Sequence, residues 1–567
     1  MEKLSFPFSI YRDIVRGHDL HFGYWDESTT SLEDAQNKLT QLMLEHVHGE
    51  SLNILDVGCG FGHFAYRLAL QGHDVTALAP EPAMIQYAQE HFSHPRVRFL
   101  CETFEGRHPS WWKQESYDLV VFFESSQYFP CLRDLFESCR TLLRPHGRIL
   151  LCDEMIYDES TAQETAVKPK RFYETALAEA GFKIRFHKPI GSYTAPTCKA
   201  VLKRLEAYPW CEGLDSLVAG WQKQKERHER GAWGYEIFEA EKDDYRILAC
   251  PEEDDPELVQ LFVQIFSGSR SLDHWRWKYR ACPFGRDAVA VCRNAMGDVV
   301  ANFSGYFVPV EETLTKTSAV VLQVGDTMTH PQVRHVGFGK TSLLVRTARY
   351  FFARYCENQV PFVYGFNTGN IQKMGKLFLG YRPVYPLDEY TLKLETFTPG
   401  RWNRIRYSCR TLQKFGPEHD MLYERVKKAY GRFLVRRQSR YLNWRFADPD
   451  KNYKIVEVRR RFGHVVAYLV AEKRNEDAVI GDFFLDPEHP EALAPGLSWL
   501  GQVLGIQTVS LWVSRTPTWL ITQLSFLGFQ KQPEPQGLWF VYVPFQSPLE
   551  VDDMQGFFFT RADSDLF

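Results

Sequence analysis

A chain of 567 residues, 44% hydrophobic, 24% charged and 15% aromatic, with a formal net charge of -4, has the balance of a soluble globular protein. That balance excludes a largely disordered or collagen-like chain, and at roughly 100–200 residues per domain the length holds about three or four domains. An apolar run of about 18 residues is absent, so no membrane span and no membrane partner is expected. The opening MEKLSFPFSIYRDIVRG lacks the basic stretch and apolar core of a secretory signal. The 12 cysteines lie far apart, without CxxC or zinc-type spacing, and read as reduced thiols of a cytoplasmic protein with no metal site. Charge is uneven: residues 401–474 carry 20 Lys and Arg against 7 Asp and Glu, a local +13 that leaves -17 for the rest. Such a stripe either meets an acidic partner or solvates a face, and nucleic acid is not the expected partner.

In chain order, the first strand is the apolar run Asn53-Ile54-Leu55-Asp56-Val57. Gly58-Cys59-Gly60-Phe61-Gly62 turns the chain, and helical spacing runs from His63 to Leu70 and stops at Gly72. Further strands fit Asp74–Leu78, Val97–Leu100, Asp118–Phe123 and Arg148–Leu151. Strands alternating with helices predict an α/β, doubly wound parallel sheet whose ligand site lies at the carboxyl ends of the strands. Glycines at 58, 60 and 62 let backbone approach a ligand there, although a simple tight turn would use them equally.

LDVGCGFG, the strand after it, YDLVVFFESSQYF and LLRPHGRILL together resemble the class I S-adenosylmethionine-dependent methyltransferases over about residues 15–243, which sets a Rossmann-like domain at 1–243. Phe22-Gly23-Tyr24-Trp25 is similar to the opening of that family's small-molecule branch. The resemblance implies that Asp56, Gly58 and Gly60 contact the amino-acid end of the methyl donor, with Cys59, Gly62 and Tyr24 in the same site. It also implies that Glu102 meets the adenine amino group and that Glu124 to Tyr128 line the mouth where donor and acceptor meet. The acid that the family uses on the ribose hydroxyls is replaced by Ala79. Either Glu81, two residues on, substitutes, or the domain has stopped methylating; losing a charge-assisted contact of about 1.5–3 kcal/mol weakens donor binding roughly tenfold or more. Transfer itself needs alignment, with a base only where the acceptor must lose a proton. His63, His108 and Tyr128 are the candidate bases, and each is equally a structural or surface residue.

A second domain is expected at 245–395. Strand patterns at Ala288–Val291, Val299–Tyr306 and Ala319–Met328 lead through His330-Pro331 to Arg334-His335-Val336-Gly337-Phe338-Gly339-Lys340 and an apolar helix from Thr341. A strand meeting a helix through a glycine loop is an anion-binding start. It is not a Walker loop, because the glycine required five residues before Gly339 is Arg334. The pattern Q/R-x-x-G-x-G/A after a central strand, with Tyr364-Gly365-Phe366-Asn367 and Leu379-Gly380-Tyr381 following, resembles the GNAT acyltransferases. That resemblance implies acetyl-CoA or another acyl-CoA bound by Met328, Arg334, Val336, Gly337, Gly339, Lys340 and Asn370. The tyrosine that family uses as an acid is missing near Lys376-Leu377, so Asp326, His330 and Tyr364 stand in by location as catalytic candidates, His330 equally as a turn residue.

The third segment repeats the second. Ser271…Trp277-Lys278-Tyr279…Pro283 recurs as Ser439…Trp444-Arg445-Phe446…Pro449, Val324-Gly325-Asp326 as Ile480-Gly481-Asp482, and Leu379-Gly380-Tyr381 as Leu527-Gly528-Phe529. This predicts a linker at 396–415, a degenerate GNAT-like α+β repeat at 416–550 and an acidic, aromatic tail at 551–567. After Pro487 the copy reads Glu488-His489-Pro490-Glu491-Ala492, without glycines, so one acyl-CoA site is expected and not two. The expected function is a bifunctional transferase that methylates and acylates a small-molecule or carrier-bound acceptor, an acidic acceptor meeting the 401–474 stripe. Two alternatives stand beside it: polyketide-type chain initiation on carrier-bound acyl groups, and a sensor or scaffold that binds the cofactors without turnover.

Overall fold

The computed structural model describes residues 4–567 apart from 16, 163–164, 267, 395–396, 398–399, 546, 548 and 550; the side chains of 370, 401, 402 and 404 also lie outside the description. The chain divides into two compact units, Met1–Arg246 and Ile247–Phe567. Among the described residues no helix is long and apolar enough to cross a membrane.

The first unit is built on β1 (Asn53–Val57), β2 (Asp74–Ala79), β3 (Val97–Cys101), β4 (Tyr117–Phe123), β5 (Leu143–Ile156), β6 (Lys168–Pro169), β7 (Phe182–Pro189) and β8 (Trp233–Lys242). Its sheet runs β3-β2-β1-β4-β5-β8-β7, with β6 on β5. The pairs among β1 to β5 are parallel, and β8 runs antiparallel to both neighbours. The central strands β1 and β4 are buried nearly throughout because helices cover both faces, whereas the edge strand β7 mostly alternates half-buried and exposed positions. Phe64, Leu68, Leu39 and Met43 pack on one side, and Leu135, Phe136, Cys139 and Leu177 on the other. The strand order reverses between β1 and β4, which places a crevice beyond their carboxyl ends.

The second unit carries β9 (Arg246–Ala249), β10 (Val289–Arg293), β11 (Val299–Glu312), β12 (Thr317–Thr329), β13 (Phe362–Asn367) and β14 (Arg382–Pro386). There follow β15 (Asp388–Lys393), β16 (Tyr407–Leu412), β17 (Phe433–Val435), β18 (Tyr453–Arg460), β19 (Val465–Arg474) and β20 (Asp477–Leu485). The last are β21 (Thr508–Trp512), β22 (Gln530–Pro533), β23 (Trp539–Pro544) and β24 (Phe557–Phe558). One sheet runs β14-β23-β13-β12-β11-β10-β9 and the other β22-β15-β21-β20-β19-β18-β16. Position for position they correspond, except that each takes one strand from the other half of the sequence: β15 lies between β21 and β22, and β23 between β13 and β14. The expected boundary at 395 therefore places β15 with the wrong sheet.

The halves meet about a local twofold. The ring of Trp277 stacks on that of Trp444 at 5.4 Å, each indole N–H donating to the other's main-chain oxygen at 2.7 and 3.2 Å. The expected linker also needs correction: it holds the helix Arg401–Arg406 and β16, an edge strand on β18, because Tyr407 has a buried place beside His489. The tail is an integral part of the unit. Phe557, Phe558 and Phe559 are fully buried, β24 pairs with β17, and Arg445 holds the main-chain oxygens of Ala562, Ser564 and Phe567 at 2.7–3.1 Å. Much of the 401–474 stripe is neutralised internally: Arg410 on Glu457, Arg425 on Asp486, Arg432 on Glu312, and Arg437 on Asp482 and Asp563.

Candidate active site

In the first unit the glycine turn hands β1 to the helix His63–Leu70. Gly60 has φ +53°, and a side chain there would reach only Leu20, at 3.8 Å, so this backbone opens on free space. Gly62 has φ +83° and serves packing: a Cβ would lie 2.5 Å from the Phe99 ring and 2.7 Å from Ala88, and it does not line the cavity. Asp56 is 1% exposed, and its Oδ2 has no partner among the described residues. Burial alone pushes its carboxyl up to about 7. A buried carboxylate without a donor fits a ligand that brings a cation.

Above this floor lies a cavity of about 790 Å³. Its donor side is lined by Asp56, Gly58, Cys59, Gly60, Ala79, Glu81 and Glu102, so most of the expected binding residues converge on one space. Ala79 is buried and offers no polar group, while Glu81 accepts a hydrogen bond from the Ser5 hydroxyl at 3.1 Å. Tyr24 is a correction: its ring stacks on Tyr193 at 4.5 Å, outside the cavity. In the extended Phe22–Trp25 segment it is Phe22 that faces inward, stacking on Trp221 and Tyr235 at 5.6 and 5.4 Å. His108 bonds Ser110 on the surface and lies outside the cavity.

Glu124, at the end of β4, has φ +53°, a costly conformation for a glutamate and one often found at functional sites. Its Oε1 accepts from the Phe22 backbone N–H and the Tyr235 hydroxyl. Burial raises its carboxyl to about 7, against the lowering influence of His21. Tyr128 also lines the cavity but is 68% exposed. The far walls come from the helices Phe8–Val15, Pro196–Glu206 and Leu214–Glu229, which supply Phe8, Tyr11, Val201, Leu217, Trp221 and Gln224. Gln224 and His228 hold Glu154 at 2.8 and 2.5 Å.

A further cluster was not singled out by sequence reasoning. Asp19 accepts from His63 at 3.0 Å and lies 3.5 Å from His21, all three on the cavity wall. Burial would raise the Asp19 carboxyl, but the two imidazoles outweigh it and hold it well below the usual range. The signal was HDLH, directly before FGYW. Away from the cavity, His46, His48 and Glu239 bring one ligand atom each within 4.8 Å of one another, but the Arg148 guanidinium stands 3.9 Å from the Glu239 carboxylate and competes for it.

In the second unit, β12 and β13 pair in parallel only at Leu322–Val363 and Gln323–Tyr364, although β12 runs on to Thr329. The β11–β12 register shifts between Asn302 and Ser304, opposite Asp326, which has φ +51°. Asp326 is no free base. Its carboxylate is held by Arg270, by Lys278 at 2.9 Å and by the Tyr279 hydroxyl at 2.6 Å, and these partners overcome burial to keep it far below the ordinary range. Tyr364 sits in the aromatic core with its hydroxyl unpartnered among the described residues, and burial pushes its phenol well above its usual value. His330 accepts from the Gln332 backbone N–H and so caps a turn. Met328 is a core side chain, and that of Asn370 lies outside the described residues. Arg334, Gly337 and Lys340 are exposed and Val336 and Gly339 half-buried on the Pro331–Thr341 turns. Gly337 has φ +72°, and a Cβ would stand 2.2 Å from the Thr341 carbonyl oxygen, so no other residue fits.

Residues 54–147 match the family described as a methyltransferase domain. The 27-O-demethylrifamycin SV methyltransferase of Amycolatopsis mediterranei is 28% identical over 221 residues, 35% of this chain and 79% of that protein. A malonyl-acyl-carrier-protein O-methyltransferase of Acetivibrio thermocellus is 30% identical over 115 residues, 19% of this chain and only 39% of that protein. Among solved structures, a putative sarcosine dimethylglycine methyltransferase from Galdieria sulphuraria is 17% identical with a TM-score of 0.39, covering 41% of this chain and 97% of its own. The matched segment runs from β1 to the start of β5, and with these methyltransferase relatives it supports a class I S-adenosylmethionine-dependent methyltransferase domain within the first unit.

Proposed function

We propose that this chain is a bifunctional transferase that methylates a small-molecule or carrier-bound acceptor in its first unit and transfers an acyl group, acetyl in the simplest case, in its second. The observation that carries the methyl-transfer half is the single cavity joining Asp56, Gly60 and Glu102 to Glu124 and the aromatic far wall. S-adenosylmethionine fits it: Asp56 would meet the donor's ammonium, Glu102 and Glu81 its adenosine end, and Gly60 leaves room for its chain. The donor supplies an electrophilic methyl group on a sulfonium. Phe22, Trp221 and Tyr235 exclude water and orient an acceptor of mainly apolar surface. Glu124, with a carboxyl poised near 7, accepts the acceptor's proton, a role for which it is better matched than the exposed Tyr128 phenol. Calorimetry with S-adenosylmethionine, followed by a mass-spectrometric search for products heavier by one methyl group, tests this. Failure to bind the donor overturns it.

Support for acyl transfer in the second unit is the divergence of β12 from β13 after two residue pairs and the glycine turn that follows β12. That wedge suits a pantetheine chain lying between the strands, and the turn suits its phosphate. Arg334, Gly337, Gly339 and Lys340 would take an acyl-CoA pyrophosphate. With Asp326 engaged, the carboxylate left at the bulge is that of Asp565, which accepts from the Asp326 backbone N–H at 3.3 Å, so the acceptor amine or hydroxyl gives up its proton there or through water. In the second half the corresponding turn carries Glu488 and Glu491, Glu491 accepting from Tyr407 at 2.6 Å, which suits one cofactor site. A binding-only reading is favoured by Ala79 and by the locked Asp326. Incubation with both cofactors and a cell metabolite extract separates the two: binding without consumption of either favours the sensor.

A further inference from the structure

Part of the basic excess at 401–474 is paired within the fold, while Lys414, Lys428, Arg440, Arg460 and Arg461 stay exposed without a carboxylate partner among the described residues, and a second group of such cations lies earlier in the chain. Residues 334–382 carry 8 Lys and Arg against one acid, Glu357. Of these, Arg334, Lys340, Lys373, Lys376 and Arg382 are exposed and have no carboxylate partner among the described residues. The Pro331–Thr341 turns and the helix Gly369–Phe378 form one surface: a Cβ on Gly339 would lie 3.1 Å from the Phe378 ring. Between the cations stand Phe338, 92% exposed, and Leu377, 69% exposed. Helical spacing puts Lys373, Lys376 and Leu377 on one face. A nucleotide phosphate would account for the cations but gives Leu377 and Phe338 no reason to stand in water. Apolar side chains ringed by charge of one sign mark a protein interface.

We propose that this surface docks an acidic, helical carrier protein, which delivers the acyl group to the second unit as a phosphopantetheine thioester. The inference rests on the acyl-transfer reading of that unit. In the transfer, the acceptor's nucleophilic atom bonds to the thioester carbon, the carbon–sulfur bond breaks, and the proton lost by the acceptor ends on the carrier's thiol. The arm's single phosphate would use the same glycine turn as a nucleotide would.

The test uses the full chain with a purified bacterial acyl carrier protein in apo and acetyl-phosphopantetheine forms, beside acetyl-CoA, by calorimetry. Expected is carrier binding that weakens about tenfold between low and physiological salt, and that falls about tenfold more in the double variant Lys373→Glu, Lys376→Glu. Acetyl-CoA affinity stays within about twofold in that variant, which also shows that it is folded. Leu377→Ser weakens the carrier alone. Equal loss of acetyl-CoA and carrier in the lysine variant overturns the proposal, because the lysines then read a nucleotide phosphate. Acetyl-CoA binding without carrier binding also overturns it and leaves the acyl-transfer reading standing. Carrier binding with neither acetyl-CoA binding nor transfer from the acetyl-carrier overturns that reading and leaves the docking surface.

Discussion

Asp56→Asn should make the methyltransferase unit more stable and less able to bind its donor. The carboxyl is buried, lacks a partner on Oδ2, and is raised from 3.8 to about 7 by burial alone. A difference of that size between folded and unfolded states corresponds to about 4 kcal/mol. The sign follows from linkage. Between pH 4 and 7 the unfolded chain has already released this proton while the folded one keeps it, so rising pH lowers stability across that window and the full cost is present above about pH 7. Asparagine keeps the shape without the charge. The ligand-free variant should match the parent below about pH 4 and exceed it near pH 8 by as much as about 4 kcal/mol, which for a unit of 246 residues is on the order of 8–16 °C in midpoint. Donor affinity should move the other way. A charge-assisted contact is worth about 1.5–3 kcal/mol, a tenfold to hundredfold rise in Kd. Thermal melts of the unit at several pH values, with calorimetry at pH 8, measure both. An unchanged Kd, or a variant without a stability gain that grows from pH 4 to 8, would refute the reasoning.

Other outcomes follow from the same geometry. Glu124→Gln should cut methyl transfer by about a hundredfold or more while donor Kd changes less than about twofold, and should remove the rise in rate through pH 7 that deprotonation of Glu124 gives the parent; a steady-state pH profile reads this. Gly337→Val with Gly339→Val forces φ values of +72° and +56° on branched residues, and should abolish acetyl-CoA binding with S-adenosylmethionine binding unchanged, by calorimetry on the same preparation. Fragments 247–395 and 396–567 should each fail to fold alone, because β23 and β15 are then missing from their sheets, and should recover cooperative unfolding by circular dichroism only when refolded together.

What was legible in the sequence was what is local. The run from Asn53 to Leu70 carries strand, turn and helix signals within 18 residues, and the structure forms each there. The alternation in 288–328 showed strands equally well. Of the far half of the cavity only Glu124 to Tyr128 were legible; Tyr11, Trp221 and Tyr235 were not, because the first lies more than 200 residues from the other two and only the fold brings them together. Strand exchange was hidden for a related reason: apolar alternation in Asp388–Lys393 says that a strand forms, not which sheet takes it. Counting charges along 401–474 missed Glu312, Asp482 and Asp563, which lie outside that window and pair with its arginines. Asp326 looked like a base because a lone carboxylate beside a turn has no visible partner in sequence; Arg270 and Lys278 lie 56 and 48 residues away.

The exchange of β15 and β23 ties the fates of the two halves. The later half owns the strand between β13 and β14 and the Trp444 that faces Trp277. Truncating the chain before Trp539 would therefore open the other half's sheet beside β13. The later half thus acts as a structural subunit of the earlier one, and a break in either is felt in both sheets.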